Sequence, residues 1–328
     1  MPFQTATRAG TKALLGFFGQ SGGGKTLSAL LTARGLAGPD GLVMMIDTES
    51  GRGSMYADEV PGGYQVQELT APFSSERYTQ MIEEAEAAAQ GRPAALVIDS
   101  FSHEWEGMGG VTDFAGNIAE QRAQRDNKQW NGTIQFGDWK RPKEAHKKMM
   151  LRMMGSNLHI ICCLRGQFAS RQIERKDYAK FGIPENTRAN TTVIRDDHQS
   201  PIQDKNFIFE MMAHVELRAD NPGAPILTKC PEMLKHAFTS SPKLSIETGA
   251  AIAAWANGGG VETAAQAELN DQAQNAADHG LHAYKGWFER QTAEVKRQLV
   301  ESGKHALLKT DAQGADQQAE PSIESFGE

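Results

Sequence analysis

Residues 19–26 read GQSGGGKT and satisfy the spacing GxxxxGK[ST]. They sit between Lys12–Phe18, an apolar run expected as a strand, and Lys25–Leu36, expected as a helix. A glycine loop between strand and helix is the context in which this spacing binds phosphate. The glycines let the backbone N–H groups of Gly19, Gln20, Ser21, Gly22, Gly23 and Gly24 curl around an anion, and the helix start adds its positive end. Lys25 is expected to reach the terminal phosphates, and the Thr26 hydroxyl to ligate Mg²⁺. Nucleotide binding is the first expectation.

A metal beside a triphosphate calls for a second oxygen ligand at a strand's end. The run Ala94–Asp99 (AALVID) supplies Asp99, which would hold Mg²⁺ through water. Ser100 follows it, so hydrolysis must take its general base from elsewhere. The run Gly41–Asp47 (GLVMMID) continues as Thr48-Glu49, which places Glu49 just past a strand's carboxyl end, on the face where the glycine loop opens. A carboxylate there can take the proton of a water aimed at the γ-phosphate. GTP would call for an Asn-Lys-x-Asp base reader; Asn127-Lys-Gln-Trp130 lacks the aspartate, so ATP is expected. His103-Glu-Trp-Glu-Gly107 fails the HExxH zinc pattern and reads as a loop, structural or substrate-facing.

These residues need a rigid frame. Ala94–Asp99 and Leu158–Leu164 are apolar without alternation, as in a parallel sheet covered on both faces. Ser75–Gln90 is expected as a helix capped by Ser74 or Ser75. Asn206–Leu217 and Ile226–Lys229 read as an antiparallel pair around Asp220-Asn-Pro-Gly223, followed by a helix near Ile246–Trp255. The whole is an α/β fold with a mostly parallel central sheet flanked by helices. After Asn257-Gly-Gly-Gly260 the composition changes, giving three expected segments: a core over 1–260, a helical segment over 261–309, and an acidic disordered tail over 310–328. From Val261 on there are twelve acids against six bases, which accounts for −6 of the net −7, so any anionic partner must meet a local patch of a nearly neutral core. No apolar run approaches the ~18–20 residues that span a bilayer. Cys162, Cys163 and Cys230 show no metal-ligand spacing and are expected as free thiols in a reducing cytoplasm.

IDTE after the glycine-loop helix, combined with LVIDS, resembles the RecA/recombinase core. In that family the glutamate of the earlier strand is the catalytic base and the later aspartate is followed by serine, which assigns the roles to Glu49 and Asp99. The strings IDTESGRGSMYAD, VIDSFSHEWEG and HIICCLRGQ resemble phage-encoded P-loop ATPases of the AAA-family or phage nucleotide-binding type, over most of residues 1–260. GLHAYKGWFERQTAEVKRQL is more weakly similar to their tails. The resemblance implies a RecA-like P-loop NTPase in the host cytoplasm. It further implies a role in recombination or single-strand annealing beside a single-stranded-DNA-binding protein, and a homo-oligomer whose neighbour lends a cation. It also implies a polar γ-phosphate sensor after LHIICCL, where Arg165 and Gln167 are the candidates.

In RecA-type proteins the loops after these two strands face DNA. Between Gln121 and Arg152 nine bases meet three acids, with Trp130, Phe136 and Trp139 among them, a mixture that suits a single strand. Trp139, Lys140, Arg141 and Lys143 are the candidate DNA contacts; a solvated basic helix face with its tryptophans turned inward fits the same pattern. For the second loop, Gly166–Lys205, seven bases and six acids decide nothing, so its role rests on position. The expected activity is a DNA-linked ATPase, with an ATP-dependent switch or helicase-loading factor, or a small-molecule kinase, as the other readings.

Overall fold

Apolar runs without alternation form the middle of one sheet, and in the computed structural model both faces of that sheet are covered. The structure describes residues 6–8, 10–184, 191–258, 264–301 and 304–319. The first half runs β1 (Leu14–Gly19), α1 (Lys25–Ala37), β2 (Leu42–Asp47), β3 (Gln65–Glu68), α2 (Ser75–Ala89) and β4 (Ala94–Asp99). Then come α3 (Ser102–Glu106), α4 (Val111–Arg125), α5 (Lys140–Met154), β5 (His159–Glu174) and β6 (Thr191–Pro201). α6 (Phe207–Glu210), β7 (Ala213–Leu217), β8 (Pro225–Lys229), α7 (Lys235–Thr239) and α8 (Ile246–Ala256) complete this part. The strand order is β3-β2-β4-β5-β1-β7-β8. All neighbours on that path are parallel except the β7–β8 edge pair.

Successive residues of a strand feed opposite cores. Ala95 and Val97 of β4 join Leu15 and Phe17 against Leu30 and Ala33 of α1 and Ile252 of α8. Leu96 and Ile98 join Phe18 against Tyr78 and Ile82 of α2 and Met149 and Met153 of α5. Burial on both faces is why the runs show no polar alternation. α1 and α8 cross where Gly35 meets Gly249: a Cβ on Gly35 would collide with the Ile246 carbonyl, and one on Gly249 with the Thr32 carbonyl.

Three expectations change. β5 does not end at Leu164 but runs to Glu174 and pairs antiparallel with β6, so Gly166–Lys205 is largely a hairpin rather than a loop. Charge counting missed the β-branched run Thr191-Thr-Val-Ile194 that pairs with residues 171–174. Asn206–Leu217 starts as a turn of helix, because the Asp204 carboxylate caps the Asn206 N–H at 2.8 Å, and the strand begins only at Ala213. The tail expected to be disordered from Thr310 is helical to Ala319; residues 320–328 lie outside the described residues.

Proximity along the backbone divides the chain into Met1–Val261 and Glu262–Glu328. The second unit holds α9 (Ala264–Asp278), α10 (Leu281–Glu289), α11 (Ala293–Glu301) and α12 (Lys304–Ala319). Its core joins Ala273, Tyr284, Trp287 and Leu299 to Leu308 and Ala312 of α12. Asp316 accepts the Leu281 N–H at 3.0 Å, so an acid that reads as tail composition caps the start of α10. Among the described residues no helix is long and apolar enough to cross a membrane.

The helix crossing yields a stability test. Gly35→Ala forces backbones apart at a contact without slack, and a loss of roughly 1–3 kcal/mol is expected in denaturant unfolding. A variant as stable as the parent would contradict the crossing.

Candidate functional site

Strand register gathers the chemistry at one edge of the sheet. Asp47 lies opposite Asp99, Asp99 opposite Cys163, and Gly19 opposite Arg165, so the carboxyl ends of β2, β4, β5 and β1 stand in a row. The glycine loop leaves β1 at Gly19, where a Cβ would collide with the Leu217 carbonyl at the end of β7. Gly24, at φ 79°, turns the chain into α1 in a conformation that favours glycine. From the β7–β8 turn, Gly223 donates its N–H to the Gly23 carbonyl at 3.0 Å and braces the loop from behind.

Lys25 donates through Nζ to the carbonyls of Gly19 and Gln20, both at 2.9 Å. Its ammonium therefore already points into the loop's concavity. One residue on, the Thr26 hydroxyl donates to Asp99 Oδ2 at 2.6 Å. Asp99 is buried, and burial pushes its carboxyl up to about 6; the Thr26 bond pulls it down and the negative charge of Glu49 pushes it up again. A hydroxyl and a carboxylate are hard oxygen donors that fit Mg²⁺, which usually takes one or two protein ligands and fills its shell with phosphate and water. Among the described residues no three His, Cys, Asp or Glu side chains gather into a denser metal site.

Glu49 faces the same cleft. The tip of β2 is tied to the tip of β4: the Thr48 N–H donates to the Asp99 carbonyl at 2.8 Å, and the Ser100 N–H donates to Thr48 Oγ1 at 2.7 Å. Beyond that tie Glu49 meets two guanidinium groups, Arg165 at 3.4 Å and Arg52 at 3.7 Å. Arg165 also lies 3.8 Å from Glu106, and its N–H is held by Ser102 Oγ at 2.9 Å. His103 is 2.7 Å from Thr48 Oγ1. Burial first, and then the positive charge of Arg165, hold its ring below the ordinary histidine range. The ring braces Thr48, the residue before Glu49.

The cleft measures about 1100 Å³ and is lined by the glycine loop, Thr26, Glu49, Asp99 and Arg165. Gln167, the other sensor candidate, is exposed on β5 opposite Ser200 and does not line it. Arg52, Met55 and Tyr56 do line it and escaped notice in the sequence. Their signal was the string RGSMY, which starts three residues after Glu49 and forms a short 3₁₀ turn beside the strand ends. The HEWEG stretch is helical, not a loop: Glu104 is fully buried, accepts from Ser75 Oγ at 2.5 Å and lies 3.1 Å from His146 Nδ1, which joins α2, α3 and α5.

The basic, aromatic stretch divides. Arg122 forks onto the buried Asp138 at 3.1 and 3.0 Å, Arg152 pairs with Glu86, and Lys143 lies 3.7 Å from Asp204. Trp139 is half-buried and stacked on Trp105 with centroids 6.2 Å apart. Lys140 and Arg141 are exposed at the start of α5, with the Arg141 guanidinium 5.6 Å from the Phe114 ring. Of the exposed rings, Trp130 and Phe136, the latter stands furthest into water, 97% exposed and one turn before them. Neither a protein-family model nor a curated protein matches the chain.

The raised Asp99 carboxyl carries a pH signature. Were a metal-nucleotide to bind at Thr26 and Asp99, it would need the carboxylate ionised, so its affinity should level off only well above about 6. Below that value, affinity should fall by roughly tenfold per pH unit as the proton competes. Without metal the sign reverses: the folded value lies above the ordinary 3.8, so the ionised group weakens the fold as pH rises toward about 6. Calorimetric titration between pH 5 and 8 checks the first effect, and Asp99→Asn should bind weakly with a flat profile.

Proposed function

We propose that this chain is a RecA-like P-loop ATPase that binds ATP with Mg²⁺, hydrolyses it, and acts on single-stranded DNA in phage-type recombination or annealing. The observation that carries the reading is the 2.6 Å contact between Thr26 and Asp99, with Lys25 and Glu49 facing the same cleft. Lys25 and Thr26 at the start of α1, Glu49 beyond β2 and Asp99 at the end of β4 all line that cleft, which supports the reading.

In the proposed reaction the backbone N–H groups of residues 19–24 hold the β-phosphate, and Lys25 exchanges the carbonyls of Gly19 and Gln20 for phosphate oxygens. Thr26 and Asp99 would hold Mg²⁺, which neutralises charge on the phosphates. Arg165 gives up its long contact to Glu49 for the more negative γ-phosphate, as a sensor at the end of β5 would. Glu49, released from that cation, accepts the proton of a water whose oxygen attacks the γ-phosphorus. The bond to the β–γ bridging oxygen breaks, and ADP and phosphate leave.

The DNA assignment is supported by the exposed Phe136 ring beside Lys140 and Arg141, a ring to stack on a base and cations for phosphates. Homo-oligomerisation and a single-stranded-DNA-binding partner follow from the resemblance alone and belong to the proposal.

ATP turnover measured with and without single-stranded DNA tests both halves. Glu49→Gln should keep ATP affinity and slow turnover by ~10²–10⁴-fold, since an amide cannot take the proton. Lys140→Glu with Arg141→Glu should leave DNA-free turnover intact and abolish its response to DNA. Turnover indifferent to Glu49→Gln removes the base assignment; a parent protein that neither binds nor responds to DNA removes the recombination role.

A further inference from the structure

The spacing IDTE contains a carboxylate that the proposed mechanism does not use. Asp47 is the last residue of β2, fully buried, and pinned by pairing with β3 on one side and β4 on the other. Its two oxygens face the loop that follows. Oδ1 accepts the Glu49 N–H at 2.7 Å, and Oδ2 accepts the Gly53 N–H at 2.8 Å. Between those two donors the chain reverses through Ser50 at φ 59° and Gly51 at φ 82°. The far end is held as well, because the Tyr64 hydroxyl donates to the Gly53 carbonyl at 2.5 Å. A Cβ on Gly53 would lie 3.1 Å from Asp47 Oδ2 and 2.8 Å from Met45 Sδ, so the close approach of this N–H depends on glycine.

We propose that Asp47 is the positioning residue that holds Glu49 at the γ-phosphate end of the cleft, by closing residues 48–53 into a loop hung on the sheet. The proposal rests on reading Glu49 as the general base. The physical case is simple. Glu49 is separated from its strand by one residue and followed by a left-handed reversal, so nothing in regular secondary structure fixes its backbone. The Asp47 carboxylate supplies that restraint with two charge-assisted hydrogen bonds, each stronger than its neutral equivalent. It brings Arg52 to 3.7 Å from Glu49 through the same closure. Each oxygen already accepts a backbone N–H, which ties the carboxylate to the loop. The closure of the loop thus accounts for an aspartate two residues before the base.

The test compares Asp47→Asn in the parent and in Glu49→Gln. An amide has one acceptor oxygen where the carboxylate has two, so one of the two N–H groups loses its partner and the loop loosens. Misplacing a reacting group by about an ångström costs up to ~10²-fold. Asp47→Asn should lower the turnover rate constant roughly 10- to 100-fold with ATP affinity within about twofold of the parent. In the Glu49→Gln background it should cost nothing further, because the group it positions is already disabled. Tyr64→Phe, at the loop's far end and outside the cleft, is the second variant should Asp47→Asn fail to fold. It should slow turnover by a few fold in the parent and not at all in Glu49→Gln. Equal losses in both backgrounds, parent-like turnover in Asp47→Asn, or ATP affinity falling in step with turnover would each overturn the proposal. Glu49→Gln turning over at the parent rate overturns it differently, by removing the base reading on which it stands.

Discussion

One contact sets the requirements for the rest of the site: the Thr26 hydroxyl on the Asp99 carboxylate. β5 lies between β1 and β4 in the sheet, so the first turn of α1 must pass over the end of β5 to reach Asp99. The glycine loop makes that passage possible. Gly19 lies against the Leu217 carbonyl on one side, and on the other a Cβ at Gly166 of β5 would come within 2.7 Å of its Cα. Side chains at either place would lift the loop and separate Thr26 from Asp99. The parallel register then delivers Asp47 beside Asp99, and Glu49 follows one residue beyond the tie at Thr48.

The cleft is electrostatically poised. Three carboxylates, Asp47, Glu49 and Asp99, share it with the cations Lys25, Arg52 and Arg165. Each cation has a modest partner: Lys25 two carbonyls, Arg52 and Arg165 long contacts to Glu49. A polyphosphate offers all three more negative charge at shorter range, so its arrival would reorganise the pairings without moving a strand.

Much of this was legible in the sequence because short motifs encode local geometry. GQSGGGKT fixes a loop and a helix start, and AALVID and LHIICCL announce strands buried on both faces. Glu49 was found from a strand end and a resemblance, and it does line the cleft. What stayed hidden depends on pairing between distant segments. The β5–β6 hairpin is a two-stranded arm whose charges mask its β-branched pattern, and α12 owes its order to Leu308 and Ala312 meeting α9–α11. Spacing left Trp139 open to base stacking or to an inward turn; it is half-buried with one face against Trp105 on α3, while Phe136 is more exposed. Asp47 was visible in IDTE but silent, because its partners are backbone N–H groups that no side-chain pattern marks.

The claim that Thr26 and Asp99 form the metal seat of an ATP site is open to one direct measurement. Mn²⁺ can replace Mg²⁺, and its electron paramagnetic resonance spectrum distinguishes free from protein-bound ion in the presence of ATP. The parent protein should bind one Mn²⁺ per ATP, and Asp99→Asn should lose most of the protein-bound signal while remaining folded. An Asp99→Asn protein that retains the parent's ATP-dependent Mn²⁺ signal would contradict it.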